Sequence, residues 1–319
     1  MTKDSPWSVI KTPKYDYNVR KIPGTTWIPL YWGKDVAGRC LFIVELEGDQ
    51  TELFRRQQVN VKGIKLDLRL FNSDKSQGLV ISLEKQVDQD IFSAMCKTLV
   101  SKLKNISDPT VALSVSLSQV KRWKAFMASK KRAILSGEEI MGLFGELKFL
   151  QYLTYRLDSE ISAVNAWVGP EGIHQDFIFS NTAVEIKSLS GKERNTVHIS
   201  SEDQLESLNN RLFLKLFRLA EIPESSRAMS LNDLVHKIEN QLDDNLALEK
   251  LQEKLAKAGY VELYEYDNPK FIVSEERTYL VKENFPKLVS SELPQGITKV
   301  RYNIDLESIR VFLLENDSI

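Results

Sequence analysis

Residues 174–188 read HQDFIFSNTAVEIKS, two short apolar runs separated by a turn, a pattern that predicts a β-hairpin. Asp176, Glu185 and Lys187 lie inside these runs, at positions where apolar residues would cost less to bury. Charged groups are expensive to remove from water unless they are paired or hold a metal. The stretch therefore predicts a central hairpin that carries a functional site.

The spacing of these charges directs them to one place. Successive side chains of a strand point to opposite faces, so Glu185 and Lys187 share a face. If Ser180-Asn181 is a two-residue hairpin loop, Asp176 lies directly opposite Glu185, with Cβ atoms about 5 Å apart. A three-residue loop would shift this register by one residue.

Two carboxylates at that distance repel each other, so either one is protonated or a cation lies between them. A hard divalent ion is the simplest solution. Mg²⁺ prefers oxygen ligands and keeps several waters, one of which can become a nucleophile, and the carbonyl of Ile186 is suitably placed as a further ligand. Lys187 would then orient or deprotonate the attacking water and offset phosphate charge. We interpret the hairpin as a metal-dependent phosphodiesterase site.

A third carboxylate comes from the helix predicted before the hairpin, in residues 137–153. On a helical projection, Glu146 falls within the apolar stripe formed by Leu143, Leu147, Leu150 and Leu153. A glutamate in that stripe needs a partner, so Glu146 could reach a second metal ion or a water of the first. Gly142 and Gly145 beside it would allow the helix to approach the sheet closely.

After the last predicted core strand, residues 202–220 are predicted to be helical again. Gln204, in HISSEDQL, opens this stretch and could bind a phosphate or a metal-bound water, with Ser200 and Ser201 as the expected caps. Three basic residues at helical spacing would form a candidate DNA contact: Arg211, Lys215 and Arg218.

A second basic segment precedes the core. Residues 121–132, KRWKAFMASKKR, contain six basic residues and no acid. Such a patch can follow a phosphate backbone, here through Lys121, Arg122, Lys130 and Lys131. A solvated helix face explains the same residues equally well, so both interpretations stay open.

Composition limits the class of protein. The chain of 319 residues, 42% hydrophobic and 27% charged, matches ordinary globular proteins, and no apolar run is long enough to span a membrane or form a signal peptide core. We therefore expect a cytoplasmic protein. The two cysteines, Cys40 and Cys96, lie far apart without a paired partner motif, which excludes a disulfide framework and the usual zinc spacings. Because the net charge is −1, any contact with nucleic acid must come from a local patch.

Turn signals and periodicity divide the chain into three predicted domains. Residues 1–107 alternate short β-type runs with turns and predict a β-rich domain. Residues 108–220 predict an α/β core, with a helix whose start is marked by a Ser136–Glu139 capping box and strands at SAVNAWVG, QDFIFS, AVEIKSL and TVHIS. Residues 221–319 predict one long helix through Gly259 followed by the strands VELYEY, FIVSEERTYLV and ITKVRYNIDL, a region suited to interaction or DNA contact.

Glu146 in GELKFL, Asp176 in HQDF, Glu185-Ile186-Lys187 in VEIKS and Gln204 in SSEDQL form a pattern that resembles the PD-(D/E)XK nuclease superfamily. The chain looks like the bacterial PD-(D/E)XK-motif proteins of restriction and phage-defence loci. The resemblance covers about residues 137–220 and implies a restriction-endonuclease-like core, a central mixed sheet flanked by helices.

In that superfamily the Asp and the Glu bind Mg²⁺ and the Lys assists the nucleophile, which implies these roles for Asp176, Glu185 and Lys187. One position departs from the family pattern. Gln175 stands where the family name has Pro, and we expect the change to be neutral because that position has no side-chain chemistry to perform.

The resemblance implies a Mg²⁺-dependent DNA endonuclease of restriction or phage defence, in which Mn²⁺ would substitute for Mg²⁺. Two alternatives stay open: a DNA-binding or scaffolding subunit of a multi-protein defence complex, and a nuclease of DNA repair or junction resolution. Double-strand cleavage by a single-site enzyme would favour a homodimer. The chain has no Walker A loop, so any dependence on ATP would need partner proteins.

Overall fold

The short β-type runs of the first hundred residues pair into a five-stranded antiparallel sheet. Its strands are β1 (Tyr17–Lys21), β2 (Leu30–Asp35), β3 (Cys40–Glu47), β4 (Ile64–Phe71) and β5 (Ser73–Leu83), in the order β1-β2-β3-β5-β4. The helices of this part of the chain are α1 (Thr51–Gln57), α2 (Gln89–Leu103) and α3 (Pro109–Ala128). The sheet predicted for the N-terminal hundred residues is confirmed.

The computed structural model describes residues 5–24, 27–57, 59–71, 73–84, 89–128, 134–191, 195–315 and 319. Its contacts divide the chain into two units, Met1–Ile134 with Gly259–Glu265, and Leu135–Ala258 with Tyr266–Ile319. The boundaries predicted near residues 107 and 220 are not boundaries of these units. The division into three domains stays a prediction.

The second unit is built on a mixed four-stranded sheet. Its strands are β6 (Phe177–Phe179), β7 (Thr182–Ser190), β9 (Arg211–Glu221) and β10 (Phe271–Val281), in the order β10-β9-β7-β6. β7 and β9 run parallel, and the two outer pairs are antiparallel. Strand β8 (Thr196–Ile199) pairs instead with β11 (Tyr302–Asp305) in a separate two-stranded sheet.

Helix α4 (Gly137–Thr154) crosses the sheet of the second unit. It begins at the predicted capping box, in which Ser136 and Glu139 exchange hydrogen bonds between side chain and backbone. Its contact with β7 needs a glycine, because a Cβ atom at Gly145 would lie only 2.2 Å from the Oγ of Ser188. The predicted close approach is therefore confirmed for Gly145. At Gly142 nothing lies within 4 Å of such a Cβ, so the same expectation is wrong there.

The helix predicted over residues 202–220 is absent. A short 3₁₀ helix (Glu202–Leu205) begins after Ser201, whose side chain accepts a hydrogen bond from the N–H of Asp203, and strand β9 follows. Residues 212–219 are all buried. A strand buried on both faces is a nearly continuous apolar run, and such a run does not show the alternation that distinguishes strand from helix.

The predicted strand SAVNAWVG is also wrong. Most of it lies in helix α5 (Glu160–Ala166), because Ser159 caps the helix by accepting a hydrogen bond from the N–H of Ser162. VELYEY is likewise not a strand, and its end forms the 3₁₀ helix Tyr264–Asp267.

The single helix predicted through Gly259 is two helices, α6 (Leu231–Glu239) and α7 (Asn245–Lys257). α6 ends at Asn240, and Asp244 starts a new helix by accepting a hydrogen bond from the N–H of Leu246. Aspartate is a strong N-cap, so a local cap interrupts an amphipathic pattern that continues across the break.

Candidate active site

The predicted hairpin has the predicted register. Phe179 pairs with Thr182 and Phe177 with Val184, so the loop between β6 and β7 has two residues. Asp176 directly precedes Phe177, and Glu185 directly follows Val184. The two carboxylates therefore start from facing positions of the hairpin.

The Asp176 carboxylate is held against the backbone of β7. Its Oδ2 accepts a hydrogen bond of 2.7 Å from the N–H of Ile186, the residue between Glu185 and Lys187. Burial raises the pKa of Asp176 to about 6, although the bond from Ile186 and the charge of Lys187 act in the opposite direction. An aspartate that is difficult to ionise is a group that a cation would stabilise.

Glu185 is more deeply buried, with 1% of its side chain exposed. Lys187 Nζ lies 2.9 Å from its Oε1 in an ion pair, and Oε2 has no hydrogen-bond partner among the described residues. Burial first, and then the charge of Asp176, hold the pKa of Glu185 well above its usual range. One lysine therefore does not fully compensate this buried carboxylate.

Glu146 reaches the same place from α4. Its Oε2 accepts a 2.7 Å hydrogen bond from the indole Nε1 of Trp167, a fully buried residue that directly follows α5. A Cβ atom at Gly169 would lie 3.0 Å from Asp176 Oδ1 and 3.3 Å from Glu146 Oε2. Both carboxylates thus approach one point, and the absence of a side chain at Gly169 leaves space for them.

Gln204 contacts Lys187, and its predicted binding of a phosphate or a metal-bound water stays a prediction. Its Oε1 accepts hydrogen bonds from Lys187 Nζ at 3.1 Å and from the N–H of Ser200 at 2.9 Å. The amide oxygen is therefore occupied by protein donors, and it fixes the ammonium group of Lys187 beside Glu185.

Gln175 has a role that we did not predict. Its side chain is buried, and Nε2 lies within hydrogen-bond distance of the carbonyl oxygens of Asp203 (2.9 Å), Gln204 (3.3 Å) and Glu206 (2.8 Å). The expectation that this position has no side-chain chemistry is wrong, because the amide ties the 3₁₀ helix carrying Gln204 to the strand carrying Asp176. The only signal in the sequence was a polar residue in place of the family proline.

A cleft of about 660 Å³ is lined by Glu146, Asp176, Glu185, Lys187 and Gln204. Part of its wall comes from β8 and β11, where His198 Nδ1 and Asn303 Oδ1 lie 2.9 Å apart. The segment before β11 is fixed to the site by Glu202, which accepts hydrogen bonds from the N–H groups of Lys299 and Val300 at 2.9 and 2.8 Å. Sequence reasoning did not anticipate this C-terminal contribution.

The donor set suits a hard divalent cation. Asp176, Glu185 and the Ile186 carbonyl offer oxygen ligands, and Oε2 of Glu185 has no hydrogen-bond partner among the described residues. In the part of the chain that the structure describes, no three Asp, Glu, His or Cys side chains are arranged to hold a metal ion. Mg²⁺ suits a site with two carboxylates and one carbonyl, because it keeps several waters and needs few protein ligands.

The candidate DNA contacts do not form the predicted helical row. Arg211 is exposed at the start of β9, and its guanidinium donates to Thr182 Oγ1 at 3.1 Å. Lys215 is buried and lies 3.0 Å from Glu276, while Arg218 pairs with Glu275. On a strand, residues 211 and 215 share a face and residue 218 lies on the other, so the helical row is wrong.

The basic segment on α3 is described only in part. Lys121 is exposed, and Arg122 lies 3.6 Å from Glu262. Lys130 and Lys131 lie outside the described residues. Whether any of these side chains contacts DNA stays a prediction.

Comparison with known proteins gives one family. Residues 4–307 match a family described as "Putative PD-(D/E)XK family member, (DUF4420)". No curated protein and no solved structure matches the chain. Among the helices that the structure describes, none combines the length and the apolar character needed to cross a membrane.

Proposed function

Since this chain belongs to the DUF4420 family of the PD-(D/E)XK superfamily, whose members are generally nucleases, we propose that it is a Mg²⁺-dependent DNA endonuclease. The reaction is hydrolysis of a phosphodiester bond. Its biological role, on this proposal, is restriction or phage defence, in company with other defence proteins and as a homodimer where both strands are cut.

The observation that carries the proposal is the buried Glu185 carboxylate. It lies in a cleft with Asp176 and Glu146, and Lys187 is the cation paired with it. If the site were only a structural ion pair, burying it would bring a desolvation cost that the single contact at 2.9 Å offsets poorly. A divalent cation held by these carboxylates would offset their desolvation cost. A metal site therefore explains why more negative than positive charge is buried here.

Each residue then has a role. Asp176, Glu185 and the Ile186 carbonyl would hold Mg²⁺, and Glu146, oriented by Trp167, would act through a second ion or a water. When bound, Mg²⁺ supplies charge stabilisation to the phosphoryl group and lowers the pKa of water. Lys187, oriented by Gln204, would position the attacking water and offset phosphate charge as an ammonium group, or would accept a proton from that water when neutral.

The attack is in line. The water oxygen forms a bond to phosphorus, the bond from phosphorus to the 3′ oxygen breaks, and the products are a 5′-phosphate and a 3′-hydroxyl. Lys121, Arg122, Lys130, Lys131 and Arg211 are candidate contacts to the DNA backbone.

The test is cleavage of unmodified, modified, branched and single-stranded DNA with Mg²⁺, with Mn²⁺ and with EDTA. Asp176→Asn, Glu185→Gln and Lys187→Met should each lower cleavage by about 10²-fold or more. The matched controls are Glu253→Gln and Lys250→Met, which break a partly exposed 3.0 Å ion pair on α7 and should leave cleavage unchanged. A wild-type protein that binds DNA but cleaves none of these substrates, alone or with its partners, would instead be a binding or scaffolding subunit.

A further inference from the structure

A second pocket, of about 240 Å³, lies in the same unit as the cleft, against another side of α4. Lys148 lines it, and because Lys148 follows Glu146 by two residues, the two side chains leave the helix about 200° apart. Lys215 of β9 and Lys237 of α6 complete a set of three lysines. Three separate elements thus bring positive charge to one small cavity.

The positive charge of this pocket is only partly compensated. Glu276 is the sole acid among the described residues that line it, and its Oε2 lies 3.0 Å from Lys215 Nζ. Lys148 donates to Gln151, a neutral partner, at 3.0 Å. Burial, and then the charge of Lys237, lower the pKa of Lys148. Among the described residues that line the pocket, three lysines therefore face one glutamate.

Lys215 is not a solvated surface lysine. The side chain of Lys215 is 3% exposed, and its Nζ lies 5.2 Å from the centre of the Phe217 ring. Burying an ammonium group in this way is costly unless an anion is also present. Glu276 supplies part of that compensation from a side chain that is 45% exposed, and so it can be displaced by a stronger anion.

We propose that this pocket binds a phosphate group of a nucleotide or of a nucleic acid. Lysine is a usual phosphate ligand because its charge is compact and carries several donors. The volume lies below the roughly 300–1,000 Å³ of pockets for larger ligands, which favours a single phosphate group. Tyr155, which is 69% exposed, lines the same pocket and offers a ring on which a base could stack.

The inference goes beyond the proposed function and does not rest on it. The pocket shares no lining residue with the cleft. Phosphate binding can be measured in EDTA, without catalysis, so failure of the nuclease proposal and failure of this one are separate results.

The experiment measures binding of inorganic phosphate, a deoxynucleoside 5′-monophosphate and a short DNA duplex by calorimetry in EDTA. Lys148→Gln and Lys237→Gln should each weaken the binding of inorganic phosphate about tenfold, the loss of one charge-assisted hydrogen bond. Lys257→Gln is the matched control, because Lys257 is exposed in the last turn of α7 as Lys237 is in the last turn of α6. Glu276→Gln should have the opposite sign and tighten phosphate binding.

The other two probes identify the source of the phosphate. If the phosphate belongs to DNA, the same two substitutions weaken binding of the duplex. They also lower the slope of log K against log salt concentration by about one for each lost contact. If the phosphate belongs to a free nucleotide, the two substitutions weaken binding of the monophosphate and leave binding of the duplex unchanged. The proposal would be overturned if inorganic phosphate did not bind the wild type. It would also be overturned if Lys257→Gln weakened phosphate binding as much as Lys237→Gln does. Melting temperatures of all variants show whether each one folds.

Discussion

Asp176 Oδ2 accepts a hydrogen bond from the main-chain N–H of Ile186, at 2.7 Å. The hairpin therefore positions the aspartate through the backbone of the same strand that presents Glu185 and Lys187. A substitution at one of these residues should therefore change the positions of the others.

The first prediction concerns pH. Because the pKa of Asp176 is raised to about 6 in the folded protein, against about 4 in an unfolded chain, its protonated form favours folding. The stability present at pH 4 is lost as the pH rises through 6. In EDTA, the free energy of unfolding of the wild type should therefore fall between pH 5 and 7.5 by about 1.3 kcal/mol more than that of Asp176→Asn.

Chemical denaturation at both pH values measures this difference, and saturating Mn²⁺ should reduce it, because a cation favours the ionised carboxylate. If the free energy of unfolding depended on pH in the same way for the wild type and Asp176→Asn, burial would not raise the pKa of Asp176 as stated.

The second prediction concerns Trp167. Trp167→Phe removes the indole donor to Glu146 and should lower both stability and cleavage. Loss of the charged hydrogen bond should cost about 1–3 kcal/mol of stability, in addition to the loss of packing from the smaller ring. Trp123→Phe is the control, because Trp123 is equally buried and its Nε1 has no hydrogen-bond partner among the described residues. Equal losses in the two variants would show that the bond to Glu146 contributes nothing.

The third prediction concerns Gln175. Gln175→Leu keeps a similar volume but removes the donor that ties the Gln204 segment, so Lys187 should lose its orientation. We expect kcat to fall by about tenfold with KM little changed, and Gln175→Pro, which introduces the family residue alone, should not restore it. A fall in melting temperature with unchanged kcat would leave Gln175 a structural role only.

The fourth prediction compares two glycines of α4. Gly142→Ala should stabilise the protein by up to about 1 kcal/mol, because alanine favours the helix and nothing lies within 4 Å of the new Cβ. Gly145→Ala should destabilise it by about 1–3 kcal/mol, because the new Cβ would lie 2.2 Å from Ser188 Oγ. Urea unfolding of both variants checks the signs, and two changes of the same sign would contradict the packing of α4 on β7.

The hairpin and its charges could be read from local sequence because period-two alternation and a two-residue loop fix the register. The start of α4 was equally local, since its capping box spans Ser136 to Glu139. β9 could not be read in this way, because burial on both faces removes the alternation. Gln175 was missed for another reason: its partners lie 28 to 31 residues away, and only the folded chain brings them together.

The pairing of β8 with β11 has a consequence for synthesis of the chain. All the acidic groups of the cleft precede residue 190, but Asn303, which forms part of its wall, is translated more than a hundred residues later. β10, the neighbour of β9 in the sheet, is also late, at Phe271–Val281. A nascent chain on the ribosome therefore carries the acidic residues long before it can enclose them, which delays formation of the complete cleft until translation has passed residue 305.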